Sequence, residues 1–153
     1  MVHYLVREQI VPASRQKVWD YFCDPQNLNE ITPLDMNFEI LQGADVKMYL
    51  GQLIEYRVEF VRGIRSRWLT EIAHVRAGEY FVDEQRVGPY RFWYHEHGFQ
   101  EVSAGTKMTD RVTYVIPLGL LGEVLNTMWI GKRLEQIFDF RRQKIIELFG
   151  DAK

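Results

Sequence analysis

One cysteine, no long apolar run and almost no net charge are the first features of this 153-residue sequence. The single Cys23 cannot form an internal disulfide, which is typical of a reducing compartment, and we interpret it as a small buried residue. No window approaches the ~20 apolar residues of a membrane span and the N-terminus lacks a signal-peptide stretch, so we expect a cytoplasmic protein. With 19 basic against 21 acidic side chains, no basic field attracts nucleic acid, and no nucleic-acid partner is expected.

Linkers, repeats and nucleotide-binding loops are also missing from the sequence. No Pro/Gly/Ser-rich linker or internal repeat divides the chain, so residues 1–153 are predicted to form a single domain. No phosphate-binding loop, nucleophile elbow or cysteine-based zinc motif is present. NAD binding, ATP hydrolysis and serine-hydrolase chemistry are therefore not expected, and no cofactor is predicted.

Aromatic residues, in contrast, are abundant, with nine Phe, eight Tyr and four Trp. Their large, rigid side chains are suited both to packing a core and to lining a ligand pocket. Hydrophobic residues at 46% and charged residues at 26% indicate an ordinary globular protein. Composition alone leaves open which of the two roles the aromatic residues have.

Hydrophobic periodicity predicts a strand-rich region with helices before and after it. Residues 2–11 alternate between two faces and predict a first strand. Ser14 is the predicted N-cap of a first helix, and Asp24 caps a short second helix. Apolar residues at three- and four-residue steps from 123 to 149 predict a long amphipathic helix. Between these helices, period-two patterns and turn signals predict six strands at 37–42, 52–61, 65–76, 80–87, 90–101 and 107–116.

The predicted elements define an α+β protein. Short connections make the strands antiparallel neighbours, so a curved antiparallel sheet of about seven strands is expected. The sheet must bury one face against the long C-terminal helix, because neither apolar surface is stable in water alone. With two short helices between the first and second strands, this order resembles the START/SRPBCC, or helix-grip, superfamily over the whole chain. The resemblance implies an internal cavity between the sheet and the C-terminal helix.

Two sequence blocks narrow this resemblance. The first runs from Gly88 to Phe99 and reads Gly-Pro-Tyr-Arg-Phe-Trp-Tyr-His-Glu-His-Gly-Phe. The second is Gly105-Thr106 followed by Met108, Asp110, Tyr114 and Pro117. Together they are similar to the uncharacterised polyketide cyclase/dehydrase-like branch of the superfamily. The resemblance implies a START/SRPBCC-like ligand-binding domain for a small hydrophobic molecule, such as a lipid, an isoprenoid or an aromatic polyketide-like compound. The alternatives are a cyclase/dehydratase-type lyase and a regulatory interaction domain with a filled core.

Alternate residues on three neighbouring strands predict an aromatic face with a polar stripe. Because side chains alternate between the two faces of a strand, residues two apart share a face. A buried polar group without a partner costs ~1–3 kcal/mol, so the polar members are expected to pair with one another, with water or with a ligand. The predicted ligand-binding set, including two residues of the C-terminal helix, is Phe81, Asp83, Gln85, Trp93, His95, His97, Phe99, Met108, Asp110, Tyr114, Phe138 and Arg141.

The polar members of this set allow three interpretations. Asp–His hydrogen bonds could simply tie neighbouring strands together. They could instead fix the hydroxyl or carbonyl groups of a ligand held between aromatic walls. In the third interpretation, His95, His97 and Asp110 are the general acid and base of a cyclisation or dehydration. No metal is predicted; if one is bound, His95 and His97 are its ligands and Asp110 or Asp83 could complete the set, but the sequence does not choose between the two.

Arg141 falls between Phe138 and Ile145 on the apolar side of the predicted C-terminal helix. A charge at this position must find a partner or extend to the rim of the domain. One interpretation is a structural ion pair. The other is a clamp on a carboxylate or another anionic group of the ligand.

Residues 118–122, Leu-Gly-Leu-Leu-Gly, are predicted to form an apolar loop before the C-terminal helix. These leucines could pack under the edge of the sheet. Alternatively, with Trp129 nearby, they could make a transient contact with a membrane surface. The sequence leaves both alternatives open, and it leaves the oligomeric state open as well.

Overall fold

The computed structural model describes residues 1–61 and 63–152. Its main element is a seven-stranded sheet. Its order is β1-β7-β6-β5-β4-β3-β2, and every neighbouring pair is antiparallel. The predicted meander of short-connected strands is confirmed, with the first strand paired to the last. The strands are β1 (Val2–Val11), β2 (Glu39–Gln42), β3 (Leu53–Val61), β4 (Ile64–Arg76), β5 (Tyr80–Val87), β6 (Phe92–Val102) and β7 (Gly105–Val115).

Short helices connect β1 to β2. Helix α1 (Arg15–Phe22) is followed by two 3₁₀ helices, Pro25–Asn29 and Leu34–Met36. The predicted caps are confirmed, because the side chains of Ser14 and Asp24 each accept a hydrogen bond from a backbone N–H of the first turn. The second predicted helix is thus present, as a 3₁₀ helix.

The C-terminal helix begins earlier than the sequence predicts. Helix α2 (Gly119–Leu125), a π-helical turn (Asn126–Ile130) and helix α3 (Gly131–Phe149) follow one another without a break. The prediction of a loop over 118–122 is therefore wrong for most of its length. Leu118 and Gly119 have positive φ values of 76° and 53°. Two left-handed residues are enough to turn the chain from the sheet into the helix.

The π-helical turn coincides with a small buried polar network. Asn126 is buried, accepts a hydrogen bond from the Tyr114 hydroxyl at 3.1 Å and contacts His3 Nδ1 at 3.1 Å. A Cβ atom at Gly131 would lie 3.3 Å from the backbone oxygen of Asn126 and 3.9 Å from Tyr114 Oη. Gly131 thus allows the helix to approach Asn126 and Tyr114 closely. The widened turn brings the Asn126 side chain to its partners on β1 and β7.

Helix α3 covers the inner face of the sheet. It buries Leu134, Ile137, Phe138 and Ile145. The first three belong to a core cluster with residues of β3, β6 and β7, and Ile145 belongs to a second cluster with residues of α1. Each such side chain stabilises the docked helix by about 1.5–3 kcal/mol. The helix therefore holds a fixed position over the strands that carry the predicted polar stripe.

Candidate ligand-binding site

A cavity of about 160 Å³ lies between the sheet and α3. Most of its walls are apolar, and one wall carries Asp83, His95, His97 and Arg141. An empty cavity of roughly 150 Å³ accepts benzene, whereas drug-sized ligands occupy about 300–1,000 Å³. As it stands, the cavity matches a molecule of about one aromatic ring.

The polar wall follows from the pairing of three central strands. Asp83 on β5 lies opposite His95 on β6, and His97 on β6 lies opposite Asp110 on β7. Residues opposite one another on antiparallel strands have neighbouring side chains on the same face. The register therefore brings two carboxylates to either side of the two imidazoles, as the period-two pattern predicts.

Each imidazole of this cluster lies between the two carboxylates. His97 Nε2 is 2.8 Å from Asp83 Oδ2, and His95 Nε2 is 2.9 Å from Asp110 Oδ1. The second nitrogens make longer or less aligned contacts, with His95 Nδ1 3.3 Å from Asp83 Oδ2 and His97 Nδ1 3.0 Å from Asp110 Oδ1. The His97 Nδ1 contact is close in distance but not aligned as a hydrogen bond. It is therefore a close contact and not a hydrogen bond. The cluster links β5, β6 and β7 across their inner faces.

The cluster shifts the pKa values of its members in opposite directions. Burial alone would raise the pKa values of Asp83 and Asp110, but the His95 charge and the imidazole hydrogen bonds outweigh burial and hold both well below the usual carboxyl range. For His95, burial would lower the pKa, but the charge of Asp83 and the hydrogen bond with Asp110 outweigh it and raise the pKa. The arrangement therefore favours ionised carboxylates with a proton retained on imidazole.

Aromatic rings fix the orientation of the imidazoles. Phe81 stacks on His97 with ring centres 4.2 Å apart, and Phe138 meets His95 edge-on at 5.4 Å. The indole Nε1 of Trp93 donates a hydrogen bond to Asp83 Oδ1 at 3.3 Å. Since the rings restrict rotation and Asp83 is held from two sides, the polar wall is preorganised.

Asp83, His95 and His97 also form a set that could hold a metal ion. Each offers one ligand atom, and these atoms lie within 4.8 Å of one another. The structure thus identifies Asp83 as the third donor, which the sequence did not. Coordination would require the hydrogen bond between His97 and Asp83 to be broken. The cationic Arg141 would also lie close to any bound cation, which disfavours metal binding.

Five residues of the predicted ligand-binding set lie outside the cavity lining. Gln85 closes the connection from β5 to β6 by bonding the backbone N–H and C=O of Tyr90. Phe99 and Met108 pack in the core cluster beneath α1. Tyr114 bonds Asn126. Asp110 is hydrogen-bonded to His95 and lies 3.0 Å from His97 Nδ1, but it is not part of the cavity lining, so it can orient the histidines without touching a ligand.

The sequence analysis missed a second wall of the cavity. Alternate residues of β3 and β4 form it, and the same period-two count would have identified them. The segment between β1 and β2 closes one end, with side chains that carry no comparable periodic signal. Prominent members of these walls are Met36, Ile54, Tyr56, Phe60, Trp68 and Thr70.

The apolar segment 118–129 is exposed. Leu118, Leu120, Leu121 and Met128 are 60–87% exposed, and Trp129 is 40% exposed. The leucines therefore do not pack under the edge of the sheet. The Trp129 ring contacts Phe60, a residue of the cavity wall, at 5.8 Å. Across the described residues, none of the helices has the length and apolar character needed to cross a bilayer.

The fold and the site define a helix-grip protein of hydrophobic ligand-binding or cyclase type. Residues 11–141 match the family model described as polyketide cyclase / dehydrase and lipid transport, and the chain belongs to this family. No curated protein sequence matches the chain.

Solved structures confirm the helix-grip resemblance. The Zhui aromatase/cyclase from Streptomyces sp. R1128 has a TM-score of 0.75 at 14% identity, with 97% of this chain and 93% of that chain covered. The major latex-like protein 151 from Panax ginseng has a TM-score of 0.71 at 10% identity, with 97% and 98% covered. The protein TTHA0849 from Thermus thermophilus has a TM-score of 0.73 at 14% identity, with 95% and 99% covered. At these identities the likeness shows the fold alone.

Proposed function

We propose that this protein binds a small, mainly apolar molecule in the cavity between the sheet and α3. The observation that carries this proposal is a cavity with mainly apolar walls in which the charged and imidazole side chains, Asp83, His95, His97 and Arg141, lie together. Such a lining holds the body of a ligand by burial and orients it through one polar group. The unfilled volume argues against an interaction domain whose core is filled by its own side chains.

Native mass spectrometry of the purified protein, compared with its denatured mass, tests this proposal directly. A mass excess of organic size is expected, and fragmentation of the released compound identifies its class. An excess equal to one transition-metal ion would instead indicate that the site binds a metal. If the protein is purified without a ligand, its binding of ethylbenzene is measured by calorimetry instead. The absence of any heat of binding would contradict the proposal.

Filling the cavity should weaken this binding. Ile137 of α3 lies in the cavity wall, whereas Leu148 of the same helix is 38% exposed. We expect Ile137→Trp to weaken ethylbenzene binding at least tenfold, equivalent to about 1.4 kcal/mol, because the larger ring occupies the ligand volume. The matched variant Leu148→Trp should bind as the wild type does. Equal affinities for all three proteins would place the ligand elsewhere.

A cyclase or dehydratase activity is the second candidate function. His95 and His97 face the cavity, and each is paired with a carboxylate, an arrangement suited to general acid–base catalysis. In this case Asp110 is a positioning residue, since it lies behind the imidazoles. The two functions differ in one result: replacing either histidine by glutamine would abolish turnover of a poly-β-carbonyl substrate while leaving binding of apolar ligands intact.

The exposed segment 118–129 supports a transient contact with a lipid surface. Its only charged residue, Glu123, forms ion pairs with the terminal ammonium of Met1 at 2.7 Å and with His3 at 2.9 Å. Most of the remaining surface is apolar, and Trp129 contacts Phe60 of the cavity wall. A small apolar ligand dissolved in a bilayer would thus reach the cavity over a continuous apolar surface.

Removing two leucines should abolish this contact. We expect Leu120→Ser/Leu121→Ser to reduce co-sedimentation with phosphatidylcholine vesicles at least tenfold, because two adjacent exposed apolar side chains are lost. The control is Tyr4→Thr/Val6→Thr, which removes exposed apolar groups from β1 and should leave co-sedimentation unchanged. Unchanged vesicle binding of the leucine variant would exclude this surface. If the wild-type protein elutes as a dimer and does not co-sediment with vesicles, the exposed segment would instead be a contact surface for a second copy of this chain.

A further inference from the structure

The guanidinium of Arg141 has buried donors without an acceptor. Arg141 follows Phe138 on α3, and its guanidinium carbon lies 5.1 Å from the centre of the Phe138 ring. The side chain is 12% exposed and forms part of the cavity wall. Within residues 1–61 and 63–152, no protein atom accepts a hydrogen bond from its Nε or Nη1.

Asp110 supplies a counter-charge but does not satisfy these donors. Its Oδ1 lies 3.8 Å from Arg141 Nη1, a distance that fits an ion contact and is too long for a hydrogen bond. The same oxygen is 2.9 Å from His95 Nε2 and 3.0 Å from His97 Nδ1. Of the two interpretations of Arg141, the ion pair thus has a counterpart in this charge contact, and the Nε and Nη1 donors remain available.

Buried donors without an acceptor are costly, and here they adjoin a cavity. An oxygen placed at the polar wall would accept a hydrogen bond from Arg141 and remove that cost. A ligand that carries such an oxygen also covers the apolar walls, which a water molecule bound at the polar wall would leave uncovered. The apolar body of the ligand would fill the remaining space.

The neighbouring carboxylates decide the charge of this oxygen. An anionic ligand bonded to Arg141 would lie about 4–6 Å from the ionised Asp110, and the repulsion between these like charges offsets much of its attraction to Arg141. The Arg141 charge is already opposed by Asp110 and, across the histidines, by Asp83. An uncharged carbonyl oxygen accepts the same hydrogen bond without this repulsion. The geometry thus disfavours the carboxylate clamp that the sequence left open.

We infer that Arg141 binds an uncharged acceptor oxygen, so that the ligand is an apolar molecule with a carbonyl group, such as a ketone, an ester or a quinone. This inference rests on the proposed function and narrows its ligand class. It makes Arg141 the residue that selects carbonyl compounds over hydrocarbons of the same shape.

Three probes of nearly equal shape test the inference: ethylbenzene, acetophenone and benzoate. A purely apolar cavity would prefer ethylbenzene, because the ketone gives up hydrogen bonds to water on entry. A hydrogen bond from a charged donor offsets that preference by about 10- to 100-fold. By calorimetry, the wild type is expected to bind acetophenone at least as tightly as ethylbenzene, and benzoate more weakly than both.

Variants of Arg141 test the inference through the ratio of the affinities for acetophenone and ethylbenzene. In Arg141→Met, the affinity for acetophenone relative to ethylbenzene should fall about 10- to 100-fold. Arg142→Met, which changes an exposed residue at the next position, should leave the ratio unchanged. Arg141→Lys keeps the charge near Asp110 but loses the planar donor fork, and it should lower the ratio if Arg141→Met does not fold.

Each remaining outcome has a definite meaning. An unchanged ratio in the Arg141 variants, or tighter binding of benzoate than of acetophenone, overturns the inference while the cavity remains a ligand site. Failure of all three probes to bind the wild type overturns the proposed function and the inference together.

Discussion

Replacing Asp110 with alanine is expected to lower the free energy of unfolding by about 3–5 kcal/mol. Asp110 is buried, lies within 3.0 Å of a nitrogen of each histidine and gives Arg141 its charge contact. Without this carboxylate, a buried guanidinium and the protonated His95 lose their common counter-charge. The effect corresponds to a decrease in melting temperature of about 10 °C, measurable by urea and thermal denaturation.

Asp139→Ala is the matched control for this change. Asp139 also faces a basic residue, with its Oδ1 3.8 Å from Arg7 Nε, but its side chain is 70% exposed. Because solvent screens such pairs, this variant should change the free energy of unfolding by at most about 0.5 kcal/mol. If both variants were equally mild, the carboxylates would not form the buried, charge-balanced unit described above.

The sequence predicted the polar wall because its signal is local. Trp93, His95, His97 and Phe99 alternate with exposed or half-buried residues along β6, and the structure buries these four on one face. Short connections between β5, β6 and β7 then bring Asp83 and Asp110 into register. The period and the connection lengths can both be read from the sequence, so the cluster could be predicted from the sequence alone.

Properties that depend on distances between distant segments could not be predicted in this way. The position of Arg141 on the apolar side of α3 is visible in the pattern, but its missing acceptor depends on the gap between α3 and β7. The cavity volume depends on the same separation. The contact of Trp129 with Phe60, which connects the exposed segment to the cavity, joins residues far apart in the chain.

β1 shows how an apolar pattern can mislead about the buried face. Tyr4, Val6 and Ile10 share one face of the strand, yet they are 43–73% exposed. The opposite face contains Leu5 and Val11, which are buried, and Arg7, which reaches toward α3. Because β1 lies at the edge of the sheet, part of its inner face meets the polar side of α3, so charged residues are accommodated there.

The polar cluster should also make the stability of the protein depend on pH with a maximum between about pH 4 and pH 6.5. The pKa values of Asp83 and Asp110 are lowered in the folded state, so their stabilisation is present above the unfolded carboxyl pKa and is lost as pH falls. The pKa of His95 is raised, so its stabilisation is present below the unfolded imidazole pKa and is lost as pH rises through the folded value. Unfolding by urea from about pH 3 to pH 9 measures both limbs.

The variant Asp110→Asn separates the contribution of the polar cluster to this pH dependence from that of the other titrating groups. On the acid limb, each carboxylate that stays ionised when folded adds a slope of about 1.4 kcal/mol per pH unit, because the unfolded chain binds a proton that the folded protein does not. The variant should lose one such contribution. Its alkaline limb should also flatten, since His95 loses the hydrogen bond that helps to raise its pKa. A profile parallel to that of the wild type would mean that Asp110 is not an ionised partner of the histidines, and the charge balance inferred for the cavity wall would fail with it.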